Sequence, residues 1–180
     1  MSAAANEHCF SQPHWKVIAG GFDTEKWFGE NIGVGTGGIV MPQVVNLRTG
    51  QNYYRFASSN KPVANQRGGG WWLDFENYKK IERFAQSNQY SMRDSARLML
   101  ALPIDWTRVD RLVCAMLAKP MKAYAGEGKP ARGSGNSTWI PTQHTKVCQL
   151  YVPGLFTKGT KPDDQLYEFV FTNFSTKSLL

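Results

Sequence analysis

The apolar positions change period twice along the chain. From residue 38 to 73 they come in short β-prone runs, from 76 to 117 at three- and four-residue spacing, and from 121 onward in short runs again. "GIVMPQVVNL" (38–47) reads as a strand bent at Pro42, "RTGQ" as a turn and "YYRFAS" (53–58) as the next strand, so the pair predicts a hairpin. "WWLDF" (71–75) reads as a short strand. "ENYKKIERFAQSN" (76–88) predicts a helix with Tyr78, Ile81, Phe84 and Ala85 on one face and Lys79, Lys80 and Arg83 facing away. "YSMRDSARLMLALP" (90–103) predicts a second, capped by Ser91 with Asp94 three residues on and ended by Pro103. "DWTRVDRLVCAMLAKP" (105–120) predicts a third, with Val109, Leu112, Val113, Met116 and Leu117 as its core stripe. Strands follow at "MKAYAG", "TWIP", "HTKVCQLYVPGL" and "QLYEFVF" (165–171), with "EGKPARGSGNS" as a loop.

Strands, a helical middle and strands again predict an α+β domain. Its sheet is mostly antiparallel and split around the helical segment. The domain spans 38–180, and residues 1–37 form a partly ordered N-terminal extension. The glycines of "GENIGVGTGG" lack the GxGxxG spacing and following helix of a dinucleotide fingerprint, so they read as a loop.

Six Trp and ten Phe separate this composition from that of a disordered chain. A net charge of +7 suits an anionic partner, although no run of five or six basic residues occurs and the charge also serves solubility. The cysteines, Cys9, Cys114 and Cys148, are odd in number and nowhere spaced CxxC, which argues against a disulfide framework. Cys114 and Cys148 read as buried thiols of a reducing compartment. His8, Cys9 and His14 do not match a zinc spacing and read as part of a mobile N-terminus, so no metal is expected. The first ten residues do not resemble a secretory signal, and no window is apolar enough to span a membrane, so the expected location is cytoplasmic.

Candidate chemistry sits at Arg55, on a β-prone run that dissolves into Ser58, Asn and Pro62. Downstream come three glycines and two tryptophans. Glycine lets backbone approach a ligand, and Trp71 and Trp72 on a strand point to opposite faces, so one can pack inward while the other offers a flat wall. An arginine for phosphate, a hydroxyl for ribose or carboxamide and an indole for a ring are what holding a dinucleotide requires.

"YYRFASSNKP" resembles the first strand motif of the ADP-ribosyltransferase fold, and "GGGWWLDFENYKKIERFA" stands in the place of its second. The Gly-Gly-x-Trp pattern is similar to that of NAD-degrading bacterial toxins. The resemblance covers about residues 50–90. It implies an ADP-ribosyltransferase-like fold with NAD as substrate, bound by Arg55, Ser58, Gly70, Trp71, Trp72 and Tyr78. The family's Ser-Thr-Ser is replaced here by Trp-Leu-Asp. Its late-strand Gln-x-Glu or Glu-x-Glu pair is missing too, which leaves Glu168, Glu127 and Gln149 as candidates for the catalytic position. Glu168 also reads as a solvent-facing strand residue and Glu127 as a loop carboxylate. Cleaving the nicotinamide–ribose bond builds positive charge at the ribose carbon, which a nearby carboxylate would stabilise. The acceptor would be a protein, a nucleic acid or water, and the basic stretch Lys129 to Arg132 suits phosphate contacts. Two other readings stand beside this one. In the first, a metal-independent ribonuclease toxin uses His144, near Thr142 and Lys146, with Glu168 and Arg55. In the second, a non-enzymatic adaptor or inhibitor binds an acidic partner.

Overall fold

A computed structural model describes residues 2–21, 23–24, 34–35, 37–132, 139–140, 146–155 and 166–180. In chain order the strands are β1 (Asp23–Thr24), β2 (Val34–Gly35), β3 (Gln43–Leu47), β4 (Asn52–Ala57), β5 (Trp71–Trp72), β6 (Arg111–Leu117), β7 (Met121–Glu127), β8 (Ala131–Arg132), β9 (Trp139–Ile140), β10 (Cys148–Tyr151) and β11 (Phe171–Ser178). The helices are α1 (Pro13–Gly20), α2 (Val63–Gly68), α3 (Phe75–Asn88), α4 (Met92–Leu100) and α5 (Leu166–Val170), with a 3₁₀ turn at Glu7–Ser11 before α1.

The fold is α+β, with two main antiparallel sheets, ordered β3-β7-β10-β5 and β11-β6-β4, and a helical middle. Among the described residues one backbone bridge joins the two sheets. Leu73, just past β5, exchanges backbone hydrogen bonds of 2.9 and 2.7 Å with Tyr54 of β4. Beyond that bridge β4 and β5 separate. The main core draws Leu47, Trp72, Met121, Ala123 and Leu150 from one sheet and Tyr53, Val113, Leu117 and Phe171 from the other. A second cluster packs α3 and α4, through Ile81, Ala96 and Met99, against Leu73, Val109 and Val147. Ser91 caps α4 as expected, accepting the Asp94 amide at 3.0 Å, and Asp74 caps α3 by accepting that of Asn77 at 2.8 Å. The second helix ends before Pro103, at Ala101, which takes a left-handed conformation with φ 50°.

Four sequence expectations are corrected. The third helix is absent. Arg111–Leu117 is β6, paired with β4 on one side and β11 on the other. Its apolar run is continuous because a central strand covers both faces to different depths: Val113, Ala115 and Leu117 enter the main core, while on the opposite face Leu112 is buried and Cys114 and Met116 are half-buried. Such a run satisfies helical spacing and strand alternation alike. The hairpin is absent too, since β3 pairs with β7 and β4 with β6; the turn at 48–51 carries the chain from one sheet to the other. The last expected strand is instead α5, and β11 starts where that strand was to end. Finally, the first twenty residues include a docked segment. Cys9 is buried, and the Asn6 carboxamide, 0% exposed, donates to the Lys122 and Pro153 carbonyls and accepts the Lys122 amide. No helix among the described residues is long and apolar enough to cross a membrane.

Candidate functional site

A cavity of about 690 Å³ opens where β4 and β5 part. Its floor is β4 from Tyr54 to Ala57 and the following Ser58, with Trp71, Trp72 and Leu73. One lip carries Lys61, Pro62, Asn65, Gln66 and Gly69. The other carries Leu100, Ala101, Leu102, Trp106 and Thr107. Gly37, Gly38 and Gln149 complete the wall. Two cations, Arg55 and Lys61, line the space, and no carboxylate does among the described residues.

Arg55 fills the gap between the parted strands. Its Nε donates to the Gln66 carbonyl at 2.7 Å, Nη1 to Trp71 at 3.0 Å and Nη2 to Asn65 at 3.3 Å. At least three of the five guanidinium donors are thus committed to backbone, which leaves at most two for a ligand. The group is enclosed well enough for burial to push its pKa down to about 10, and it stays cationic at neutral pH. Gly69 permits this placement. A Cβ there would stand 2.0 Å from Nη2 and 2.2 Å from Cζ of Arg55. Gly70 serves a different neighbour, for its Cβ would meet the Tyr151 ring at 2.7 Å, and Gly70 does not line the cavity. The glycines therefore make room for the protein's own side chains, Arg55 and Tyr151.

The two indoles part as strand alternation requires. Trp72 is 1% exposed, stacks on Phe171 with ring centres 4.6 Å apart, and donates its Nε1 hydrogen to the Gly69 carbonyl at 2.7 Å. Trp71 is half-buried, leans on Tyr151 at 5.0 Å and faces the cavity. Ser58 is at the cavity, but its hydroxyl pairs with Thr107 Oγ1 at 2.7 Å and accepts the Arg108 amide at 2.8 Å. Tyr78 stands behind the wall, stacked on Tyr54 at 4.2 Å; burial raises the pKa of both phenols.

The three candidates for the catalytic position separate. Gln149, on β10, lines the cavity, and its Nε2 lies 3.5 Å from the Leu100 carbonyl. Glu127 ends β7, exposed and 3.9 Å from Lys146. Glu168 is exposed on α5 and accepts the Tyr167 hydroxyl at 3.1 Å. Neither glutamate lines the cavity. His144 and Thr142 of the ribonuclease reading lie outside the described residues, as does the Arg132 side chain.

Sequence reasoning passed over Lys61, Trp106, Gly37 and Gly38. Trp106 stands in the first turn of the expected third helix, so nothing local marks it as a loop residue. Gly37 and Gly38 have φ of 64° and 87°, and Gly38 lies so close to the backbone of Gly20 and Gly21 that a Cβ would stand 2.4 Å away. The chain matches no protein-family model, no curated protein and no solved structure.

Proposed function

We propose that the cleft binds NAD and that the protein is an ADP-ribosyltransferase-type domain with a glutamine at its late-strand position. One observation carries this reading. Arg55 of β4, Trp71 of β5 and Gln149 of β10, nearly a hundred residues apart at their extremes, line one cavity at the split between two sheets. Arg55 and Trp71 come from the two segments that carry the resemblance, and Gln149 is one of the candidates for the late-strand position, where the family's glutamate pair is missing. The cavity volume falls within the roughly 300–1,000 Å³ of small-molecule sites.

The roles follow from the chemistry present. Lys61 and the donors that Arg55 has free attract the pyrophosphate, and the backbone-bound guanidinium keeps a fixed positive potential beside it. Trp71 and Trp106 offer faces for the rings. The Gln149 carboxamide hydrogen-bonds a ribose hydroxyl and orients the sugar. It brings no negative charge to a developing oxocarbenium ion, so binding outruns cleavage. Glu127 and Glu168 take no part.

The test is NAD titration by calorimetry, with free nicotinamide followed chromatographically. We expect saturable binding, weakened in Trp71→Ala and Lys61→Ala. Nicotinamide release is expected to be slow and to accelerate in Gln149→Glu by on the order of ten-fold or more, because a carboxylate then faces the ribose. Absence of NAD binding by the wild-type protein would overturn the proposal.

A further inference from the structure

Arg97 lies on α4, outside the cavity, and is only 8% exposed. Its Nη1 donates to the Leu102 carbonyl at 3.1 Å, and its Nη2 to those of Thr107 at 2.8 Å and Arg108 at 2.9 Å. All three acceptors belong to the irregular segment between α4 and β6. That segment supplies Ala101, Leu102, Trp106 and Thr107 to the cleft. A planar fork of donors suits it, because carbonyls outside a ladder still need partners when buried.

The same segment is tied to the opposite lip. Thr107 Oγ1 meets the Ser58 hydroxyl, Ser58 accepts the Arg108 amide, and the Asp110 carboxylate accepts the Ser59 amide at 2.7 Å and hydroxyl at 2.6 Å. Residues 58–62, which carry Lys61, are therefore held in register with residues 101–108. Trp106 is 44% exposed, and its ring lies about 3.6 Å from where a Gly37 Cβ would be.

We infer that Arg97 is a positioning residue: it holds the Trp106 wall against the Lys61 lip and so sets the affinity of the cleft for a ring-bearing anion that it never touches. The identity of the anion as NAD rests on the function proposed above; the positioning does not.

Arg97→Lys keeps the cation and most of the stem but loses the fork. Two readouts need no ligand: amide hydrogen exchange in residues 101–108, and Trp106 emission, taken as the difference between each protein and its Trp106→Phe counterpart. Exchange in 101–108 should quicken by about ten-fold while the β4 and β6 amides keep their protection. Trp106 emission should shift to the red. NAD affinity should fall by roughly ten-fold, as expected when a binding wall loses its preorganisation. Should Arg97→Lys not fold, Arg97→Gln, which leaves no buried unpaired charge, is read in the same way. Unchanged exchange in 101–108, exchange raised uniformly across all strands, or a loosened segment with unchanged NAD affinity would each overturn the inference. If the wild-type protein binds no NAD, the proposed function falls alone, and exchange and emission still decide whether Arg97 positions the wall.

Discussion

Trp71 and Trp72 are chain neighbours of one residue type on one short strand, and they do opposite work. Trp72 has a stacked ring partner, a satisfied indole nitrogen and a side chain almost wholly buried where it underlies the floor, so its free energy goes into the fold. Trp71 keeps one side on Tyr151 and gives the other to the cleft. A half-turn of strand pleat is all that separates a stability residue from a ligand wall. Arg55 and Gly69 join the two sides, because the guanidinium that fills the parting of the strands also binds the Trp71 carbonyl.

The sharpest way to break the contrast is on the core side. Trp72→Ala should cost about 3–5 kcal/mol in chemical denaturation, by lost transfer free energy and the cavity left behind. An effect as small as that of Trp71→Ala would erase the distinction. Next comes Gly69→Ala, which drives a Cβ into the Arg55 guanidinium; overpacking should cost about 1–3 kcal/mol and also weaken ligand binding, as Arg55 lets go of its carbonyls.

Alkaline titration probes the partner of Trp71. Burial, then the nearby Cys9, pushes the Tyr151 hydroxyl up to about 12 from its ordinary 10. The unfolded chain loses this proton first, so the stabilisation is complete below pH 10 and is lost as pH rises from about 10 toward 12. Tyr151→Phe should remove that component of the alkaline loss, read from melting curves across the range.

Trp71→Ala comes next. It forfeits the Tyr151 contact, about 0.5–1.5 kcal/mol of stability, yet should lower NAD affinity by roughly ten-fold. The smallest effects belong to the exposed carboxylates: Glu127→Gln and Glu168→Gln should each stay within about 0.5 kcal/mol and leave NAD affinity and nicotinamide release unchanged. Loss of release in either variant would bring a carboxylate back into the reaction.

Local chemistry made much of the fold legible. The Ser91 cap, the α3 stripe and the β-prone run around Arg55 each depend on neighbours within four residues, and each is where the pattern predicts. The segment 111–117 reads as helix because its residues are apolar on both faces, so their types show no period even though the half-buried Cys114 and Met116 alternate with the buried Val113, Ala115 and Leu117. Glu168 was placed on a strand because "QLYEFVF" has β-prone residues, yet α5 sets Tyr167 and Val170, three apart, into the core.

Residue type, adjacency and count suffice for the α+β class, the Ser91 cap, the opposite facing of the two indoles and the excess of positive charge. Long-range packing sets the bridge at which β4 meets β5 before they part, the place of Gln149 rather than Glu127 or Glu168 at the gap, and the hydrogen bonds of Arg97 to a wall it is not part of. Strand pairing across a hundred residues is selected by the packing of the whole core, and no local pattern encodes it.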